Sequence, residues 1–347
     1  VVSSGDNNVF VGTSSGQANT TASGNVGVGT SALAANTTGA NNVALGIRTL
    51  DVNTTGGSNT ALGADALGAN TTANNNTGIG QSALLACTTG TPNTAVGANA
   101  LDACTTGGNN NALGQSALTT LTTGSYNNAF GTHALEAATT QAASNAFGHR
   151  ALDVATDGQH NNAFGAEALG ALTTGSYNVA VGGDALGALT TASNNVAVGD
   201  DAGKAATTAH SSVFIGKSAG TAFTTGNASV AVGMSALATG TTASATTTVG
   251  FEAGKVITTG THNTAVGCQA GLAATTCTYN TLIGVEAGKL MTTGPNNTAI
   301  GYQSNNVTTT GENTTIVGIL CRSSGADVDN EVVLGSNGMI GKGASTA

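Results

Sequence analysis

Tryptophan is absent from this chain of 347 residues, aromatic side chains make up 3% of it and charged ones 7%. A soluble globular domain carries about 25% charge and enough large side chains to fill a core. A string of ordinary globular domains, the default for this length, is therefore excluded. Basic residues are scarce too: 8 Lys plus Arg against 17 Asp plus Glu leave a net charge of -9. No basic patch can neutralise a phosphate backbone, so nucleic acid is not expected as a partner. No run of 18 or more apolar residues occurs, and no membrane insertion is expected. The sequence begins at Val1, inside the repeat described next, without Met or a signal peptide, and reads as a processed chain or a fragment.

What the chain has in quantity is glycine, 52 residues of it, together with Ala, Ser, Thr and Asn and a hydrophobic fraction of 39%. Such a composition also occurs in disordered chains, but a fixed period points to order. The glycine of an Asn-x-Ala-apolar-Gly run recurs from Gly12, Gly29 and Gly46 to Gly301, Gly318 and Gly335, always at a step of seventeen residues and without an insertion. A linker would let the spacing drift, whereas coils stacked in register cannot, because a slip of one residue turns a strand inside out.

Positions are counted here from this anchor glycine as zero. The residue before it is apolar in every coil, the one two before it is usually Ala (Ala44, Ala95, Ala180), and the one four before it is usually Asn. That alternation is the period of a β-strand. Ala-Leu or Ala-Gly follows at plus three and four, then Thr-Thr at plus eight and nine, the first Thr holding from Thr20 to Thr309. Seventeen residues reach at most about 56 Å, enough for two short strands and two turns. The expected fold is all-β: a parallel β-solenoid, a narrow β-roll of about 20 coils of 17 residues. At about 4.8 Å per coil the stack is roughly 95 Å long. Residues 1–311 form the regular repeat, and 312–347 form degenerate terminal coils and the C-terminal end. So thin a roll leaves one side under-buried, and the small Ala two before the anchor is where other chains are expected to approach, most simply in a homotrimer.

Most motifs that could carry chemistry are by-products of the repeat. Gly12-Thr13-Ser14-Ser15-Gly16 and Gly216-Lys217-Ser218-Ala219-Gly220 match the G-x-S-x-G of a hydrolase elbow, but that motif needs a strand-to-helix turn with His and acid partners, and the repeat alone produces it. The five histidines, His133, His149, His160, His210 and His262, show no ligand spacing for a metal. Cys87 and Cys104 share the plus-seven slot of successive coils, close enough for a disulfide; inward free thiols are the preferred reading, since Leu121 and Phe223 occupy the slot elsewhere. Cys268, Cys277 and Cys321 have no obvious partner. Phe130, Phe147 and Phe164 precede the anchor in three consecutive coils and are expected as a core ladder. Asn76, Asn93 and Asn110 read as an amide ladder along the stack. No catalytic, cofactor or metal residue is expected, and the chain is read as no enzyme.

Acids gather at plus one and plus two, among them Asp184, Asp200, Asp201, Glu252 and Glu286, as a solvated ridge. Tyr126, Tyr177, Tyr279, His160 and His262 share the plus-twelve turn slot and form the candidate contact for a host receptor or glycan. The Thr pairs raise a rival, ice binding, although adjacent residues on a strand point to opposite faces and leave one outward column.

Runs such as Asn195-Val196-Ala197-Val198-Gly199 and Ser229-Val230-Ala231-Val232-Gly233 resemble the head repeats of trimeric autotransporter adhesins. The longer unit, with Ala-Leu or Ala-Gly and then Thr-Thr-Gly, looks more like the arrays of phage and virus tail-fibre proteins. The resemblance covers residues 8 to 335 and implies a trimeric left-handed β-roll. The tail from Ser324 to Asn330 resembles the segment that ends such arrays, where a self-cleaving chaperone domain follows; on that resemblance the chain would be cut after Ala347. The function expected is a structural fibre or shaft of a virion or extracellular appendage, with self-association laterally and end to end, and the alternatives are a self-assembling filament and an ice binder.

Overall fold

Each step of seventeen residues closes one turn of a solenoid in the computed structural model, which describes residues 4–336 and 338–341. The chain is all-β, with twenty parallel strands, about nineteen turns and no helix among the described residues. The expected beginning at Val1 and cut after Ala347 lie outside the described residues. Two compact units divide it, Val1–Ser176 and Tyr177–Ala347. The first carries β1 (Val9–Val11) to β10 (Asn162–Phe164) and the second β11 (Val179–Val181) to β20 (Val332–Leu334). Inside each unit every strand pairs in parallel with the next at one register: Val9 sits opposite Val26, Ala44 opposite Ala61, Val179 opposite Val196 and Thr298 opposite Thr315.

The register follows from backbone conformation. The anchor glycines from Gly12 to Gly318 have φ from 123° to 146°, a region closed to residues with a Cβ. A Cβ on Gly131 would run into the carbonyl oxygen of Gly148 one coil away. Here the chain turns so tightly, and stacks so closely, that the slot is glycine in all twenty coils. In most coils three further positions, plus two, plus four and plus twelve, are left-handed with mostly non-glycine residues, as at Ser116 (57°), Leu118 (54°) and Tyr126 (64°).

Two expectations are corrected. Each coil carries one three- or four-residue strand, at minus four or three to minus one, and not two. The opposite side is held by a different device: the carbonyl of Thr54 accepts from the amides of Thr37 at 2.9 Å and Thr38 at 3.1 Å and from Thr37 Oγ1 at 2.9 Å, and the pattern repeats at Thr105 and Thr122. One carbonyl with several donors substitutes for an alternating ladder, so the segment bends rather than extends.

The second correction concerns which strand residue is inside. The Ala two before the anchor is buried completely (Ala44, Ala95, Ala180), so no other chain can approach there, while the apolar residue next to the anchor faces out. Phe130, Phe147 and Phe164 therefore stand on the outer face of the sheet, half-exposed or, for Phe164, 40% exposed, and are not a core ladder. The physical reason is volume. The interior of a turn this short holds one large side chain between the strand and the plus-four position, and Leu33 to Leu186 fill it from plus four opposite Ala or Gly. Where the strand residue is Phe214 or Leu282, plus four is glycine: Gly203 and Gly220 embrace the ring of Phe214, and Gly271 and Gly288 embrace Leu282. Close packing with few voids is kept by exchanging which wall contributes the bulk.

Candidate functional site

Much of the remaining interior is polar and hydrogen-bonded in ladders along the stack. At plus thirteen, Asn42 Nδ2 donates to the Gly56 carbonyl at 2.8 Å, and Asn42 Oδ1 accepts from the backbone amide of Asn59 at 3.0 Å. The same pairing runs through Asn76, Asn93 and Asn110, with the Asn93 and Asn110 amides donating to the preceding Oδ1 at 2.7 and 3.0 Å. These residues are the expected amide ladder. A second ladder at plus seven joins Asn19, Asn36, Asn53 and Asn70 and gives way to Cys87 and Cys104. Both cysteines are free and buried. Burial raises the Cys87 thiol to about 12 and Cys104 to about 11, and each S–H donates to a glycine carbonyl, of Gly90 and Gly107. These thiols are fillers, not nucleophiles.

The plus-twelve residues sit on left-handed turns and project outward, with Tyr126 64% and Tyr279 59% exposed. They do not form one continuous column. In the first unit Ala143 stands between Tyr126 and His160; in the second, Asn194, Ser211, Ala228 and Ala245 separate Tyr177 from His262. His262 and Tyr279 do stack, with ring centroids 4.9 Å apart and planes at 17°. In the second unit this pair forms a flat aromatic surface.

The acids at plus two form a bonded ladder rather than isolated charges. Lys204 Nζ reaches Asp201 at 2.9 Å and Asp184 at 3.0 Å. Lys255 donates to Glu252 and Lys289 to Glu286, both at 2.7 Å, while Gln269 donates to Glu252 at 2.9 Å and accepts from Lys289 at 3.0 Å. Gln303 completes the run on Glu286 at 2.7 Å. The donors, Lys255 and then Gln269 for Glu252, and Lys289 and then Gln303 for Glu286, hold both carboxyls below the ordinary range. Sequence reading found the acids and missed the glutamines, whose recurrence thirty-four residues apart in the plus-two slot was the available signal.

Outside the sheet, the Phe130, Phe147 and Phe164 rings stack at 4.6 and 4.8 Å, within 8° of parallel. Beside them Asn111, Asn128, Asn145 and Asn162 link side-chain amides at 2.7 to 2.8 Å. His133 Nδ1 lies 2.9 Å from Glu136, next to His149 and Arg150, around a surface hollow of about 350 Å³. A second hollow, of about 510 Å³, opens where Gly68 leaves a gap between Asp51 and Leu85. Burial raises the Asp51 carboxyl. Among the described residues no three His, Cys, Asp or Glu side chains could hold a metal ion, and no helix is long and apolar enough to cross a membrane. The two G-x-S-x-G runs lie in turns with no helix after them.

In the Thr pairs Thr37-Thr38 and Thr105-Thr106 the first is half-buried with its hydroxyl spent on a backbone carbonyl and the second is exposed. Among the Asn-x-Ser/Thr sequons of the chain, Asn36 of Asn36-Thr37-Thr38 is buried inside its ladder and Asn227 of Asn227-Ala228-Ser229 is exposed. No protein-family model matches the chain, and no curated protein matches it.

Proposed function

We propose that the protein is a structural fibre or shaft component of a virion tail fibre or an extracellular appendage, self-associating as a homotrimer and holding or contributing to host attachment. One observation carries the reading. In both units the plus-thirteen side chains are committed to coil-to-coil hydrogen bonding, in a ladder that keeps one register. Each coil supports its neighbours, the energetics of a solenoid, and the product of that arrangement is stiffness. The exposed His262 and Tyr279 pair is the contact this reading offers to a receptor or glycan, and stacking on aromatic faces is its mode.

Electron microscopy of the native material tests it. Discrete rods with three chains in cross-section are expected. Long filaments would move the function to end-to-end assembly, the alternative reading, and isolated single chains would sink the fibre.

A further inference from the structure

The second unit exposes an apolar surface that nothing in the fold requires. At plus one, Met234, Phe251, Cys268, Val285, Tyr302 and Ile319 follow one another in six consecutive coils, all exposed. The column is held in register by the backbone: the plus-two amides of Glu252, Gln269, Glu286 and Gln303 donate to the plus-one carbonyls of the preceding coil at 2.8 to 3.0 Å. Two residues away, across the anchor glycines, runs the apolar column from Val232 to Val317, whose members face each other strand by strand. The coils before it differ, since Asp200 and Lys217 occupy plus one there and pair at 3.6 Å. No charged residue interrupts either column from Val232 to Ile319.

We infer that this double stripe is the surface by which the chain packs against further copies of itself, stripe to stripe. The inference rests on the self-association proposed above and names its location. Area supports it. The more open members are 36% to 54% exposed, and with side chains of roughly 150–200 Å² the twelve residues present on the order of 700 Å². That exceeds the ~300–600 Å² of the largest apolar patch on an ordinary monomer and approaches the ~800 Å² each partner buries in a stable interface. The anatomy supports it too. One edge is the Thr column Thr247, Thr264, Thr281, Thr298 and Thr315, and the other is the Glu–Gln–Lys ladder, so an apolar centre lies between polar rims. A second copy is the partner that meets the stripe with the same rise per coil, and its knobs keep step along the whole contact. An uncharged surface on a chain of net charge -9 also spares the pair a direct like-charge contact.

Cys268 reports on the stripe without any substitution, because the other four cysteines are buried. The rate of Cys268 alkylation by a maleimide, read by peptide mass spectrometry, is measured across a concentration series alongside sedimentation velocity. Association that slows Cys268 labelling at least tenfold is expected. Val285→Asp and Tyr302→Asp, both at exposed positions, are expected to weaken association ~30-fold or more and restore labelling, with the far-ultraviolet β signal unchanged. If the chains associate while Cys268 labels freely and both variants associate normally, the stripe is wrong and self-association stands. If the wild-type chain stays monomeric at every concentration, both fail.

Discussion

Asn70 donates its side-chain amide to Asn53 Oδ1 at 2.8 Å, while its own Oδ1, buried, has no partner, because Cys87 stands where the next rung would be. The ladder from Asn19 to Asn70 therefore has satisfied interior rungs and one unsatisfied end.

That difference separates two substitutions. Asn53→Ala strips the donor from Asn36 Oδ1 and the acceptor from Asn70 Nδ2. Asn70→Ala also removes an orphan as it creates one. An unsatisfied buried group costs about 1–3 kcal/mol, so Asn53→Ala is expected to cost about 3 kcal/mol and Asn70→Ala about 1. Hydrogen exchange of the neighbouring coil amides gives the local stability that a repeat array requires. Equal costs would show that the ladder is not cooperative at this end.

Phe214 and Phe147 precede their anchor glycines by two residues and one, and differ in everything else. Phe214 is fully buried between Gly203 and Gly220, whereas Phe147 stacks outside. Phe214→Ala is expected to cost about 3–5 kcal/mol, and Phe147→Ala about 1. Gly220→Leu alone would drive a side chain into the Phe214 ring. Combined with Phe214→Ala, it recreates the Leu–Ala pairing of the other coils and should recover part of the loss. A double-mutant cycle with no favourable coupling would refute the size exchange.

The period, the anchor glycine and the amide ladder were legible because each repeats at a fixed step, and stacking turns step into contact. The inward face of the strand was misjudged because hydrophobicity favoured Val, Leu and Phe next to the anchor over Ala one position earlier. A seventeen-residue turn has too little interior for the larger residue. The inverse sizes of Phe214 with Gly203 and Gly220, and of Leu282 with Gly271 and Gly288, carried that information in the sequence. The left-handed turns at Leu118 or Tyr126 did not show, since neither residue type marks a positive φ. At the candidate contact, a shared slot was legible, and its interruption by Ala143, Ala228 and Ala245 limits the stacked surface in the second unit to His262 and Tyr279.

Gln141 occupies a plus-ten slot that is Gly or Ala in most coils, and its buried amide has neither donor nor acceptor satisfied. Removing both polar atoms relieves the desolvation penalty. Gln141→Ala is expected to raise stability by about 1 kcal/mol, seen as a later denaturant midpoint and slower exchange in the flanking coils. An earlier midpoint would mean that the side chain contributes packing worth more than its unpaired amide costs.

Burial raises the Cys87 thiol to about 12 and Cys104 and Cys277 to about 11, from an ordinary value of 9.0. The folded pKa lies above the unfolded one, so below about 9 the thiols are neutral in both states and their contribution to stability is intact. As pH rises further, the unfolded chain ionises first, and the contribution is lost up to about 11 for Cys104 and Cys277 and about 12 for Cys87. The first unit holds two of these residues, Cys87 and Cys104 in adjacent coils. Cys87→Ala/Cys104→Ala, which places there the residue found at Ala138 and Ala155, is expected to flatten the alkaline limb of the first unit and leave that of the second unchanged. Local hydrogen exchange, corrected for the intrinsic rate at each pH, reads the two units separately. An alkaline limb as steep in the variant as in the wild type would show that these two thiols do not carry the sensitivity of the first unit.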